Sequence, residues 1–161
     1  MKKLLILAAA AVILIPLAMW WFSTENVIKR RTEHLMDVLS MDEGSGGPLR
    51  QGKVYSMNGM LAPQVTLTIS DVADANGTFD KQEMESAFSW ICQHTKESDF
   101  RITEFHEIET DGETAKIRVT VKGFIELRAG GRPADGTFDV TIHWRKGDDG
   151  WRYDAITWSN H

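Results

Sequence analysis

The stretch Ala115-Lys-Ile-Arg-Val-Thr-Val-Lys-Gly-Phe-Ile-Glu-Leu-Arg128 decides the fold. Ile117, Val119, Val121, Ile125 and Leu127 alternate with Lys116, Arg118, Thr120, Lys122 and Glu126. Successive side chains of a strand point to opposite faces, so this alternation buries one face and leaves the other in water. Gly123 interrupts the run and is expected to bend it.

Working outward, Asp111-Gly112 is a hairpin signal joining this strand to one over Phe100–Ile108. On the other side AGGRPADG, residues 129–136, leads into Thr137–Arg145, where Phe138, Val140, Ile142 and Trp144 share a face. KGDDG, residues 146–150, then turns into a last strand, Trp151–Trp158. The apolar rows of this meander are too extensive to face water, so the elements before it must cover them.

Those elements read as helices and one strand. Asp80 and Glu83 form a capping box, with Asp in the place of Ser or Thr, and Met84, Ala87, Phe88, Ile91 and Cys92 follow at helical spacing over 80–96. Residues 25–41 place Ile28, Leu35 and Leu39 on one helical stripe. DEGSGGPLRQG, residues 42–52, is expected to be a flexible loop, Tyr55–Ala62 gives no clear pattern, and Val65–Ile69 reads as a strand. The fold class is therefore α+β. A curved antiparallel sheet of about five strands packs against two or three N-terminal helices over residues 25–161, as a cone-shaped roll.

Ahead of this domain lies Leu4–Phe22, an apolar run with no charge. At about 1.5 Å per residue it spans about 28 Å, close to a hydrocarbon core of about 30 Å. Trp20, Trp21 and Phe22 end it where an aromatic belt would meet lipid headgroups. The competing reading is a cleaved signal peptide, for which Pro16-Leu17-Ala18 makes a poor cleavage site. A single transmembrane helix is the expectation. Lys2 and Lys3 nearly balance Lys29, Arg30 and Arg31 across the run, and the short hydrophilic lead favours an extracytoplasmic domain.

Lys and Arg number 18 against 23 Asp and Glu, a net charge of −5. An acidic domain without a basic stripe cannot neutralise a phosphate backbone, which argues against nucleic acid as a partner. Cys92, the one cysteine, sits in a helical apolar pattern and reads as a buried hydrophobe.

The order of elements resembles the nuclear transport factor 2-like superfamily, also called the cystatin-like or polyketide-cyclase-like roll. The likeness is most specific at Val140-Thr-Ile-His-Trp-Arg145, the charged turn, and Gly150-Trp-Arg-Tyr-Asp154, which look like that family's last hairpin. The resemblance implies a cone that could hold a pocket. The superfamily includes isomerases, dehydratases, epoxide hydrolases and non-enzymatic members, and no catalytic set of theirs maps onto these residues. Fold alone does not assign an activity.

Three constellations carry possible chemistry. Phe100, Ile102 and Ile108 share parity with Glu104 and His106, so an unbroken strand directs that pair inward as a general base and its partner, with Tyr153 as a hydroxyl donor. A bulge near Thr103 would exchange the faces and place Phe105 inside. Asp74, Asn76, Gly77, Asp80 and Glu83 match an EF-hand loop in part, but Val72 stands where its first carboxylate belongs, so no metal or cofactor is expected. Trp158 has the opposite parity to Trp151, which points it to the outer sheet face, and the resemblance implies a homodimer surface there. Two functions follow: a membrane-tethered interaction or scaffold domain without catalysis, or a small-molecule binder or enzyme using the cone.

Overall fold

Residues 19–70, 72 and 75–161 are described in a computed structural model of the chain. The expected membrane run therefore lies outside the described residues up to residue 18. Among the described residues no helix is long and apolar enough to cross a membrane.

Helix α1 spans Thr24–Leu39 and buries Ile28, Thr32, Leu35, Met36 and Val38. Its N-cap is Ser23, whose side chain accepts from the Asn26 amide. Helix α2 spans Gly47–Met60, so most of the expected loop at 42–52 is helical. The breaker signal was misleading because Pro48 sits in the first turn, where its missing N–H costs nothing and its fixed φ suits the helix. Strand β1 follows at once over Leu61–Ile69. A four-residue strand β2, Gly77–Asp80, is an addition to the five expected. Helix α3 spans Lys81–His94 and begins with the capping box: Asp80 Oδ1 accepts from Glu83 N and Glu83 Oε2 accepts from Asp80 N, both at 2.8 Å.

The meander is β3, Thr95–Thr110; β4, Thr114–Leu127; β5, Ala134–Gly147; and β6, Gly150–Asn160. The six strands lie in the order β2-β1-β6-β5-β4-β3. All neighbours are antiparallel except β1 and β6, which run parallel.

Register breaks decide what the sheet buries. In β3 the pairing slips between Ile102 and Glu104 and again between Phe105 and Glu107. Each bulge exchanges the faces, so Ile102, Phe105 and Ile108 all meet the inner row Val121, Val119 and Ile117 of β4. In β6, His143 pairs with Ala155 while Trp144 pairs with Tyr153, leaving Asp154 as the extra residue. Trp158 therefore turns inward, not outward as its parity predicts, and packs against Phe100 and Phe138 with ring centroids 5.6 and 5.2 Å away.

Gly123 serves close approach: it faces Phe100 across the β3–β4 pair. A Cβ there would run into the Phe100 ring and the Asp99 carbonyl. The ring thus lies across bare backbone.

Arg50 ties the helical layer together. Although it is charged it is only 6% exposed. Its Nε donates to Ser45 O at 3.0 Å, Nη1 to Cys92 O and Thr95 O at 2.6 and 2.7 Å, and Nη2 to Lys96 O and Asp42 O at 3.0 and 3.4 Å. A guanidinium has five N–H donors, and here each meets a backbone carbonyl. Burial, and secondarily the nearby Arg128, lower its pKa from the ordinary value. Arginine nevertheless stays protonated, and the negative end of α3 is its main compensation.

Replacing Arg50 by Met should strand several buried carbonyls and lower stability by about 3 kcal/mol or more, read as a drop in urea midpoint. Arg50→Lys should recover little, because one ammonium cannot reach five acceptors. Gly123→Ala should lose about 1–3 kcal/mol through overpacking against Phe100, measured in the same way.

Candidate functional site

The cone interior was the expected place for chemistry, and it is filled. Trp144 and Tyr153 are 0% and 1% exposed and cross edge to face with centroids 5.8 Å apart. The Tyr153 hydroxyl donates to Met57 Sδ at 2.8 Å, and desolvation alone pushes its pKa far above the ordinary tyrosine value. Tyr153 is inward, as its parity predicts, but its polar end is engaged by a thioether and buried. It has no access to a substrate.

Glu104 and His106 lie on the opposite side of the sheet. The first β3 bulge pairs Glu104 with Thr120, an outer-face residue of β4, and the Glu104 side chain is 67% exposed. The inward parity expected for both residues does not hold, and Phe105 takes the inner position. Glu104 Oε1 and His106 Nδ1 come within 3.7 Å of each other on that face, while Tyr153 lies apart from them in the core.

The outer face instead carries a polar chain that strand parity could have located. Thr120 gives its hydroxyl proton to Asp139 Oδ1 at 3.2 Å, and so accepts from His106 Nε2 at 2.6 Å. His161 Nδ1 lies 3.1 Å from both Asp139 oxygens. The His161 hydrogen bond is the largest influence holding the Asp139 carboxyl below the ordinary range; His161 charge, Thr120 and His106 add to it against desolvation. A second cluster sits beside the β6 bulge, where Asp154 accepts from Arg145 Nε at 2.9 Å and pairs with His143 Nδ1 at 2.5 Å. The outward positions of β5, Asp139, Thr141, His143 and Arg145, were readable as a polar row. Asp154 falls on the same face by alternation from inward Trp151 and Tyr153, and the bulge leaves it as the extra residue beside His143.

The described residues of the partial EF-hand are engaged within the protein. Asn76 Oδ1 accepts from Ile69 N, Asp80 and Glu83 cap α3, and Gly77–Asp80 is a strand. Asp74 lies outside the described residues. Among the described residues no group of three or more His, Cys, Asp or Glu is placed to hold a metal ion. Cys92 is buried as expected, and burial raises its thiol pKa, which Arg50 and Lys53 partly oppose.

Several surface hollows lie among the described residues. One, of about 550 Å³, lies between α1 and β3, with Glu33, Asp37, Asp42, Glu97 and Asp99 around an apolar floor that includes Phe100 and Phe105. Another, of about 600 Å³, lies between α2 and α3.

No protein-family model and no curated protein matches the chain. Solved structures do. An NTF2-like protein from Cytophaga hutchinsonii superposes with a TM-score of 0.60 at 16% identity, over 87% of this chain and 100% of that one. A candidate calcium/calmodulin-dependent protein kinase II association domain from Xanthomonas campestris gives 0.62 at 13% identity, over 86% and 89%. A candidate dehydratase of the NTF2-like family from Streptomyces avermitilis gives 0.54 at 18% identity, over 70% and 84%. The chain has the NTF2-like fold, an α+β roll with a curved six-stranded sheet.

Glu104→Gln should leave the thermal midpoint nearly unchanged, because its side chain is 67% exposed, whereas His106→Gln removes the bond to buried Thr120 and should lower it. Asp139→Asn should behave differently. Its folded pKa is depressed below 3.8, so its contribution is present above that value and fades as pH falls through the lower folded one. The variant should melt below wild type near neutrality, and the gap should close in acid. Thermal melts across that range check the sign.

Proposed function

We propose that the chain is a membrane-tethered interaction or scaffold domain without catalysis. Leu4–Phe22 serves as its anchor, and the roll lies on the extracytoplasmic side. The observation that carries the non-enzymatic part is the filled interior: Trp144, Tyr153 and Met57 occupy the space that a ligand of this fold would need. The polar groups that could act as acid and base lie on the outer face, bonded to one another. Fold neighbours with enzyme names do not weigh against this, because one fold hosts many activities.

The tether is supported by the apolar run and by how the chain leaves it. Met19, Trp20, Trp21 and Phe22 are exposed and pack into no core of the domain. They are nevertheless held to α1. Asn26 Nδ2 donates to Trp20 O at 2.7 Å, Arg30 Nη2 donates to Trp21 O at 2.9 Å, and the Arg30 guanidinium lies 4.5 Å from the Trp21 ring centroid. An aromatic collar fixed to the first helix suits a headgroup interface.

Intact-mass measurement of the membrane fraction tests the anchor. The expected species retains Leu4–Phe22 and resists alkaline carbonate extraction; a chain beginning near Met19 or Ser23 would refute the anchor. The closed interior is tested separately by titrating the folded protein with anilinonaphthalene sulfonate. No saturable binding is expected, and a saturable site lost on substitution of Tyr153 would restore the pocket.

A further inference from the structure

A furrow separates part of the facing sides of α2 and α3. Gln82, Ser86, Ser89 and Gln93 form one stripe of α3 at helical spacing, and with Gln51 of α2 they line the furrow of about 600 Å³. A further hollow of about 310 Å³ shares Gln51, Val54, Ser89 and Gln93 and continues the furrow toward Arg128. The lining is only lightly bonded to itself. Gln93 Nε2 reaches Ser89 Oγ at 3.4 Å, and Asn58 donates to the Glu85 carboxylate.

One wall is Trp90, 55% exposed on a helix that buries Phe88 and Cys92 on another side. One exposed ring is ordinary on a protein surface, and its setting is what carries weight here. This ring is also set in place: His94 stacks on it with centroids 4.2 Å apart and planes 18° from parallel, and His94 Nδ1 lies 2.8 Å from Trp90 O. A rigid aromatic platform loses little conformational entropy when something is laid on it.

The chemistry of the lining narrows the occupant. Val54 is its one aliphatic side chain, too little for an apolar peptide helix, which needs a row of anchors. Glu85 stands in the furrow, which disfavours a polyanion, and a single carboxylate is a poor cation site. Neutral amides and hydroxyls remain, each both donor and acceptor, beside an exposed aromatic face. Sugars present that complement: vicinal hydroxyls around the ring edge and an apolar C–H face.

We propose that the α2–α3 furrow binds a neutral oligosaccharide, with a sugar ring against Trp90 and its hydroxyl or acetamido groups bonded to Gln51, Gln82, Ser89 and Gln93. The site is separate from the cone and from the outer sheet face. It deepens the tethered-interaction reading by naming a partner class. Because binding can be measured without reference to topology, its failure and the failure of the anchor are distinguishable.

The test is calorimetric titration of the full chain, held in lipid nanodiscs free of sugar detergents, with chitotetraose. A dissociation constant between about 10 μM and about 1 mM is expected. Trp90→Ala and Gln93→Ala should each weaken it at least about tenfold while leaving the thermal midpoint unchanged. Should Trp90→Ala lower the midpoint, Gln82→Ala and Gln51→Ala carry the same expectation. No binding up to about 10 mM, or binding indifferent to these substitutions, would overturn the proposal. So would tighter Trp90-dependent binding of dextran sulfate, which would make the furrow an anion site.

Discussion

One buried guanidinium sets the arrangement of the helical layer. Helix α3 ends at His94 and β3 begins at Thr95, with no residue between them. Helices commonly close their last carbonyls with a glycine in the left-handed conformation, but Thr95 is extended, at φ −78° and ψ 128°. The end of α3 is thus left with outward carbonyls in a buried place, and Arg50 answers them from the first turns of α2. The same group bonds the 42–45 turn, so it fixes that turn, α2, the end of α3 and the start of the longest strand against one another. Removing either party would leave the other unsatisfied in low dielectric, where an unmade bond costs most.

Between the pinned helices and the sheet lies a continuous cluster of buried side chains. Ile28 and Leu35 of α1, Met57 and Met60 of α2, and the inner rows of β4, β5 and β6 close on Trp144 and Tyr153. The bulges complete the closure. Those in β3 bring Phe105 inward in place of Glu104 and His106, and the one in β6 brings Trp158 onto Phe100. The ionisable groups are thereby collected on the outer face. The roll thus divides its side chains between an apolar interior and a polar outer sheet face.

Much of this was legible in the residues, and the exceptions have physical reasons. The alternation over Ala115–Arg128 and Phe138–Trp144, the capping box at Asp80 and Glu83, and the stripe of α1 all specify their elements locally, and each formed. Helix α2 was missed because its opening glycines and Pro48 resemble a loop until one asks what Pro does in a first turn. Strand β2 was missed because four residues carry almost no period. The site residues failed for a sharper reason. Parity is a local rule, whereas a bulge is imposed by the partner strand, so a single extra residue reversed Glu104, His106 and Trp158. Nothing local marks Arg50 as buried either. Three of its five carbonyl partners lie on α3 and β3, more than forty residues away in the chain.

The central claim is that the helical layer is locked over a filled cone as one cooperative body. Native-state hydrogen exchange on the folded domain measures this directly, because it separates local opening from global unfolding. Amides of Val54–Met60 in α2 should exchange with the same free energy as those of Val119 and Val140 in the central strands. A distinctly lower opening free energy for α2, with the strands still protected, would mean that the helix lifts off and the interior becomes accessible. That result would contradict the account.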